Sequence, residues 1–417
     1  MPARTLPETL EAAQTASRAL ATLTSVQKDT ALAAVADALE AESSSIIAAN
    51  ARDLEAGEAA GLAAGLLDRL RLDEPRVAAL ARAVRDVVAL PDPVGVVVRG
   101  STLPNGVGLS QVRVPFGVVG AIYEARPNVT VDIAALALKS GNASVLRGGS
   151  AALHSNERLV AVIRTALESA GLPADAVQTI DAFGREGAAE LMRARGLVDV
   201  LIPRGSADLI QTVVRESTVP VIETGAGVVH ILLDASADEA MAVDIVRNAK
   251  VQRPSVCNAV ETVLVHRDAA ERLLPPLLAA LRHEGVLVRG DDRARAVDAG
   301  LEPATDDDFA TEHMALELSI GIVDDLDAAL AHIRRFSTKH TESIITGDMA
   351  AAERFLAEVD SAVVMVNAST RFSDGGEFGF GAEVGISTQK LHARGPMGLP
   401  ELTSTKWIVR GAGQVRG

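Results

Sequence analysis

Apolar positions recur at helical spacing through residues 1–90, in stretches such as Glu8 to Thr22 and Lys28 to Asn50, and that period predicts helices with one buried face. The pattern then changes. Pro93 to Pro115, PVGVVVRGSTLPNGVGLSQVRVP, holds two alternating runs joined by a Pro-Asn-Gly turn, which reads as a β-hairpin. From Gly117 short apolar runs alternate with helical stretches: GVVGAIYE then VDIAALALKSGN, ASVLRGG then NERLVAVIRTALESAG, followed by AVQTID, VDVLIP and VPVIET. A second series starts near Val229 with HILLD, Ala237 to Lys250 and AVETVLVH, and runs to about Val366. Strands alternating with helices imply right-handed crossovers and parallel sheets, so the fold class is α/β. WIVRG near the C-terminus is a last strand-like segment, free to pair with the hairpin within the chain or across subunits.

Composition narrows this picture. A chain of 417 residues predicts two or three domains, and 48% hydrophobic with 23% charged residues is a globular balance. The net charge of −15 argues against a nucleic-acid or anionic-membrane partner. An acidic protein that handles a phosphorylated ligand needs local cations, so individual arginines and lysines carry weight. The N-terminus lacks the apolar core of a signal peptide, and charge interrupts every apolar stretch well before the ~18 residues of a membrane span. One cysteine cannot form an internal disulfide, which fits a reducing, cytoplasmic setting.

That cysteine, Cys257, sits in NAKVQRPSVCNAVETVLVH between a helical stretch and a β run. A thiolate is a strong nucleophile and a competent leaving group, suited to acyl transfer through a thioester. Lys250 and Arg253 are close in sequence and would lower the thiol pKa from its free value of ~8.5. The opposing reading is a buried apolar cysteine, and the residues alone leave both open. For phosphate, no GxGxxG follows the first strand of either series. GFGAEVG (Gly379 to Gly385) imitates one, but no βαβ unit follows it, and it reads as a tight catalytic-domain loop. Two junctions are better placed: Arg147, Gly148, Gly149 and Ser150 before one helix, and Arg204, Gly205 and Ser206 at the start of another. A helix start with an arginine suits an anion, and an ordinary βα turn with a solvated arginine explains each equally well.

Taken together, YEARPNVTVD (123–132), LKSGNASVLRGG (138–149), IPRG (202–205), VIETGAG (221–227), QRPSVCNAVET (252–262), KHTESIITGD (339–348) and the tail motif from Asn367 to Leu399 resemble the gamma-glutamyl phosphate reductase family of the aldehyde dehydrogenase superfamily. The resemblance covers nearly the whole chain. It implies NADPH-dependent reduction of L-glutamate 5-phosphate to L-glutamate 5-semialdehyde and phosphate, in proline biosynthesis. It also implies two Rossmann-like parallel-sheet domains and a small β oligomerisation element: an NADP-binding domain of 1–92 and 116–228, a catalytic domain of 229–395, and an oligomerisation hairpin and C-terminal strand of 93–115 and 396–417, in a homo-oligomer.

By the same resemblance Cys257 is the nucleophile, and Glu223 stands where thioester-hydrolysing relatives keep a general base; a structural carboxylate is its other reading. Lys139, Arg147, Gly148, Ser150, Arg204, Gly205, Ser206 and Glu312 fall at cofactor positions. Arg147 is near the adenosine ribose and Glu312 at the nicotinamide ribose. Ser150 replaces a glutamate common in NAD-preferring relatives, which favours NADPH. Arg126, Arg371, Arg394, Ser387, Thr388 and Gln389 are substrate candidates. The oxyanion donor is Asn128 or Arg126. Val228-Val229 stands where the family is expected to have Asn-Cys, and no metal site is expected. Rival readings are a semialdehyde dehydrogenase that oxidises an aldehyde to an acid, and a non-catalytic relative that binds glutamate 5-kinase.

Overall fold

The computed structural model describes residues 4–416. Its helical start is set by local chemistry. Thr5 and Glu8 form a capping box at the head of Leu6–Leu20, as do Thr24 and Gln27 at the head of Ser25–Ala41, each satisfying amides that the first helical turn leaves without partners. The stretch expected as one helix from Lys28 to Asn50 is two, broken at Glu42 (φ −96°, ψ 13°) before Ser43–Ala59. Ser45 Oγ donates to the Glu42 carbonyl at 2.7 Å, the local serine-to-backbone bonding that competes with a continuing helix.

The chain divides into two compact units. The first comprises the chain up to Glu223 together with Gly379–Gly385 and the segment from Met397 onward; the second comprises Thr224–Phe378 and Ile386–Pro396. In the first unit, β1 (Val97–Thr102) and β2 (Gly108–Pro115) form the antiparallel hairpin. A parallel sheet follows, from β3 (Val118–Tyr123), β4 (Ala143–Arg147), β5 (Val177–Thr179) and β6 (Val200–Arg204), in the spatial order β5-β4-β3-β6. Every residue of β3 is buried, as expected of a strand covered on both faces. The order reverses at β3, so the crevice at the C-terminal ends of β3 and β6 is where such a sheet binds ligands. VPVIET, expected as a strand, forms only two isolated bridges, Val221 to Leu201 and Thr224 to Ser387.

The second unit holds a seven-stranded parallel sheet: β7 (Val229–Leu233), β8 (Val260–His266), β9 (Leu287–Gly290), β10 (Glu302–Pro303), β11 (Glu317–Val323), β12 (Thr341–Ile345) and β13 (Val363–Val366), ordered β10-β9-β11-β8-β7-β12-β13. Its core joins these strands to Glu239–Val251 and Arg267–His283 through Val246, Val263, Leu274 and Ile320, each fully buried. A two-residue ladder, β14 (Ile386–Ser387) with β15 (Gly395–Pro396), lies in the same unit. The last strand, β16 (Thr403–Arg410), returns to the first unit and pairs antiparallel with β2 of its own chain. Gly379–Gly385, expected in the catalytic domain, packs with the first unit, where a side chain on Gly381 (φ 73°) would strike Leu90 at 2.7 Å.

Candidate active site

In the second unit, the chemistry-bearing residues gather at the N-terminal ends of three neighbouring strands. Cys257 precedes β8 in a turn, Gly227 precedes β7 and Glu312 precedes β11, and these strands are adjacent in the order β11-β8-β7. The half-buried Cys257 is fixed from two sides. A Cβ on Gly227 would lie 1.6 Å from the Cys257 carbonyl oxygen, so only glycine permits this approach. On the other side Asn258 Nδ2 donates to the Ser373 carbonyl at 2.8 Å, and Thr370 Oγ1 donates to the Asn258 carbonyl at 2.7 Å. These bonds clamp the thiol's turn to Thr370–Phe372 and explain the first part of the tail motif.

Arg371, carried by that clamp, donates from Nε to Gln252 Oε1 at 2.9 Å. Burial pulls its pKa below the ordinary value, opposed by the charges of Asp374 and Cys257 and reinforced by Arg253. A guanidinium close enough to feel the cysteine's charge favours the thiolate in return. Lys250, expected to share that role, is paired with another group: its ammonium is 2.8 Å from Glu261 Oε2, and both side chains are fully buried. Glu312 Oε1 accepts the Gly227 amide at 2.8 Å, and burial raises its pKa against that bond and against Lys250. The cofactor candidate Glu312 and the nucleophile's turn are thus tied through one glycine.

Ser387 and Thr388 border the same loop. Thr224 bridges to Ser387, and the Gly225 amide donates to the Ile386 carbonyl at 3.1 Å. Ser387 Oγ is buried and accepts the Gln389 amide at 3.3 Å. Arg394, expected as a substrate ligand, is committed elsewhere: its guanidinium is 2.9 Å from Asp360, which Lys390 also binds.

In the first unit, the two phosphate-type junctions lie at the C-terminal ends of β4 and β6. Arg147 ends β4, Gly148 follows it and the exposed Ser150 opens a short 3-10 turn. The next helix, Leu153–Ser169, has its first amides occupied: Asp53 accepts from His154 N at 3.1 Å and Ser155 N at 2.7 Å. Arg204 ends β6 and donates to the Val384 carbonyl. Ser206 caps Ala207–Glu216, and its amide and hydroxyl meet the Glu124 carboxylate at 3.0 and 3.2 Å. A side chain on Gly205 would lie 2.7 Å from Glu124 Oε2. Both helix starts therefore already hold a carboxylate from the chain, Asp53 and Glu124, which sequence reasoning missed. Glu124 was signalled by its place directly after β3; Asp53 had no local signal.

The other candidates of this unit fall around β3 and its helix. Arg126 stands at the head of Pro127–Lys139, and Asn128 donates to Asp132 at 3.2 Å. Glu223 accepts from Gln211 Nε2 at 3.0 Å. Lys139 lies at the far end of that helix, so 13 residues rising ~1.5 Å each separate it from the strand-end crevice. Its buried ammonium binds Asp29 and the Val88 carbonyl, so it acts as an interior strut and not as a cofactor ligand.

In the first unit the buried Nε of Arg147 has no partner, whereas Gly148 and Gly205 are packed against the chain's own Asn156 and Glu124. Among the described residues no cluster of His, Cys, Asp or Glu is arranged to hold a metal ion, and no helix is long and apolar enough to cross a membrane. The aldehyde dehydrogenase family model matches residues 2–305. The chain is 71% identical over 417 residues, all of its length and 96% of the relative, to gamma-glutamyl phosphate reductase of Clavibacter michiganensis subsp. michiganensis. To that of Leifsonia xyli subsp. xyli it is 69% identical over 414 residues, covering 99% of this chain and 98% of the relative. The crystal structure of gamma-glutamyl phosphate reductase from Thermotoga maritima matches with a TM-score of 0.97 at 44% identity, over 99% of this chain and 100% of that one. The α/β arrangement is that of the aldehyde dehydrogenases, and this chain belongs to their family, in the gamma-glutamyl phosphate reductase branch.

Proposed function

We propose that this protein is a cytoplasmic enzyme of proline biosynthesis that reduces L-glutamate 5-phosphate to L-glutamate 5-semialdehyde and phosphate with NADPH, through a thioester on Cys257. The observation that carries the reading is a half-buried thiol held by backbone clamps beside Arg371. The names of its full-length relatives support the substrate. Cys257 thiolate attacks the acyl carbon, the Cys257 amide with Asn128 or Arg126 donates to the oxyanion, and phosphate departs. NADPH, when bound, supplies the hydride that brings the thioester to the aldehyde level. The sulfur then leaves as thiolate and the aldehyde is released. Arg147, Gly148 and Ser150 would hold the adenosine end of the nucleotide, Arg204, Gly205 and Ser206 its phosphates once the Glu124 carboxylate leaves the Ser206 amide, and Glu312 its nicotinamide ribose.

Arg371, with Arg126, Ser387 and Thr388, would bind the charged groups of the substrate. Hydrolysis would waste the thioester, so Glu223, held by Gln211, orients groups and does not activate water. The exposed Val97, Val98 and Trp407 of the hairpin sheet support a homo-oligomer contact there, and glutamate 5-kinase is the enzyme that would supply the acyl phosphate. The test is the reverse reaction, with glutamate semialdehyde and NADP⁺, with and without phosphate. NADPH should form only when phosphate is present. Equal formation without it would mean an oxidising semialdehyde dehydrogenase instead.

A further inference from the structure

At the ends of β3, β4 and β5, which are neighbours in the sheet, a chain of buried polar groups runs beneath Arg147. Tyr123 Oη and Thr130 Oγ1 are 2.6 Å apart, Thr130 Oγ1 donates to Asn156 Oδ1 at 2.9 Å, and Asn156 Nδ2 donates to Asp181 Oδ2 at 3.0 Å. Asp181 lies two residues beyond the end of β5 and is only 9% exposed. Its backbone is pinned by Thr179 at 3.3 Å, and the Gly148 amide bonds its carboxylate. Gly148 makes the approach possible: a Cβ there would stand 2.0 Å from Asn156 Nδ2 and 3.2 Å from Asp181 Oδ2. Two atoms of this assembly are buried without a partner, Asp181 Oδ1 and Arg147 Nε. Buried polar atoms left unmatched call for an explanation.

The two charges feel each other, yet among the described residues no direct ion pair joins them. Asp181 therefore does not clamp the guanidinium; it acts on Arg147 through its field. In α/β dinucleotide sites an acid at a strand end reads a ribose 2′-hydroxyl and an arginine accommodates a 2′-phosphate. Here both lie at adjacent strand ends. We propose that Asp181 sets how strongly the adenosine-ribose seat favours a 2′-phosphate over a 2′-hydroxyl, by offsetting the charge of Arg147. The proposal rests on the reading of Arg147 as the adenosine-ribose residue of an NADPH enzyme. Burial raises the Asp181 carboxyl to about 6 against the bonds from Asn156 and Gly148 and the charge of Arg147, so it is mostly ionised at neutral pH and the offset is in force.

The test is direct titration of the full chain with NADPH and with NADH by calorimetry at neutral pH, with no substrate present. Asp181→Asn keeps the shape and the acceptor for Asn156, and should raise the ratio of the NADH to the NADPH dissociation constant by about tenfold, mainly through tighter NADPH. Asp181→Ser removes the same charge with a smaller side chain and should move the ratio the same way. In an Arg147→Met background NADPH should bind more weakly, while the Asp181→Asn change should still raise the ratio, because the two charges act additively on a 2′-phosphate. A structural role for Asp181 would weaken both nucleotides together and leave the ratio unchanged, and that result overturns the proposal. If the unaltered protein binds neither nucleotide, the NADPH reading falls with it; if it binds both and only the ratio fails to move, the Asp181 assignment alone is wrong.

Discussion

Lys250 and Glu261 meet 2.8 Å apart with no exposure of either side chain. Burial, against their mutual attraction, pushes the Glu261 carboxyl up to about 7 and pulls Lys250 down. Glu261 Oε1 also accepts the Met314 amide at 3.3 Å, so the pair braces the segment that carries Glu312. Removing one partner strands the other charge in the interior, which costs about 3–5 kcal/mol. Lys250→Met should lower the urea midpoint accordingly, measured by tryptophan-independent circular dichroism. Cys257→Ala is different in kind: its activity should fall by at least about 10⁴-fold in the phosphate-dependent assay, while calorimetric NADPH binding persists. Retention of activity would remove the thioester. At this scale the sequence was legible only in part. The turn around Cys257 left nucleophile and buried thiol both open until the distributed resemblance was added, and the fates of Lys139, Lys250 and Arg394 were hidden in their partners. Asp29 and Asp360 lie far from Lys139 and Arg394 in the chain. Glu261, near Lys250, reads as part of an apolar run until the packing is known.

At the scale of elements, the loop from Thr224 to Val228 governs the nucleophile. Gly227→Ala must drive its Cβ into the Cys257 carbonyl, displacing the turn and the Glu312 bond together. Both kcat and nucleotide affinity should drop, each by tenfold or more on the scale of ~1.4 kcal/mol per decade, as steady-state kinetics and calorimetry would report; an unchanged kcat would separate the glycine from the thiol's position. The helix Pro127–Lys139 offers a pH test. Burial raises the Asp132 carboxyl from 3.8 to about 6, against the Asn128 bond and the charge of Arg204. A carboxyl held more tightly protonated in the folded state costs nothing below its unfolded pKa and its full penalty above its folded one. Asp132→Asn should therefore match the parent protein in acid and exceed it in thermal stability above pH 6, the gap opening between 3.8 and about 6. A gap that instead closes over that window would reverse the assignment. Helices and parallel strands were legible from period alone. The order β10-β9-β11-β8-β7-β12-β13 was not, because long-range pairing leaves no trace in a local window. The gathering at strand N-termini was also hidden, since ligands in open α/β sheets are expected at the C-terminal ends.

For the whole molecule, the first unit is assembled from segments that the second unit separates. β16 pairs with β2 through eight residue pairs, and Asn142 Nδ2 donates to the Leu402 carbonyl at 2.9 Å. Truncation after Leu402 would leave the full length of β2 as an open edge, which invites association with other chains. Such a protein should melt earlier and scatter light on concentration, and a truncation that stays monodisperse with an unchanged melting point would show the strand to be dispensable. The hairpin was readable from its turn residues, whereas the choice of partner for WIVRG was not, because an antiparallel match can be made equally well within a chain or between two.

That returning strand also fixes an order of events during synthesis. A ribosome releases the chain from the N-terminus at ~5–20 residues per second. Every residue of the second unit precedes β16 in the chain. The nucleophile's unit can therefore finish while the first still lacks its closing strand. A chain stopped between Pro396 and Thr403 would therefore hold every residue of the thiol-bearing unit but lack β16, leaving one edge of β2 unpaired.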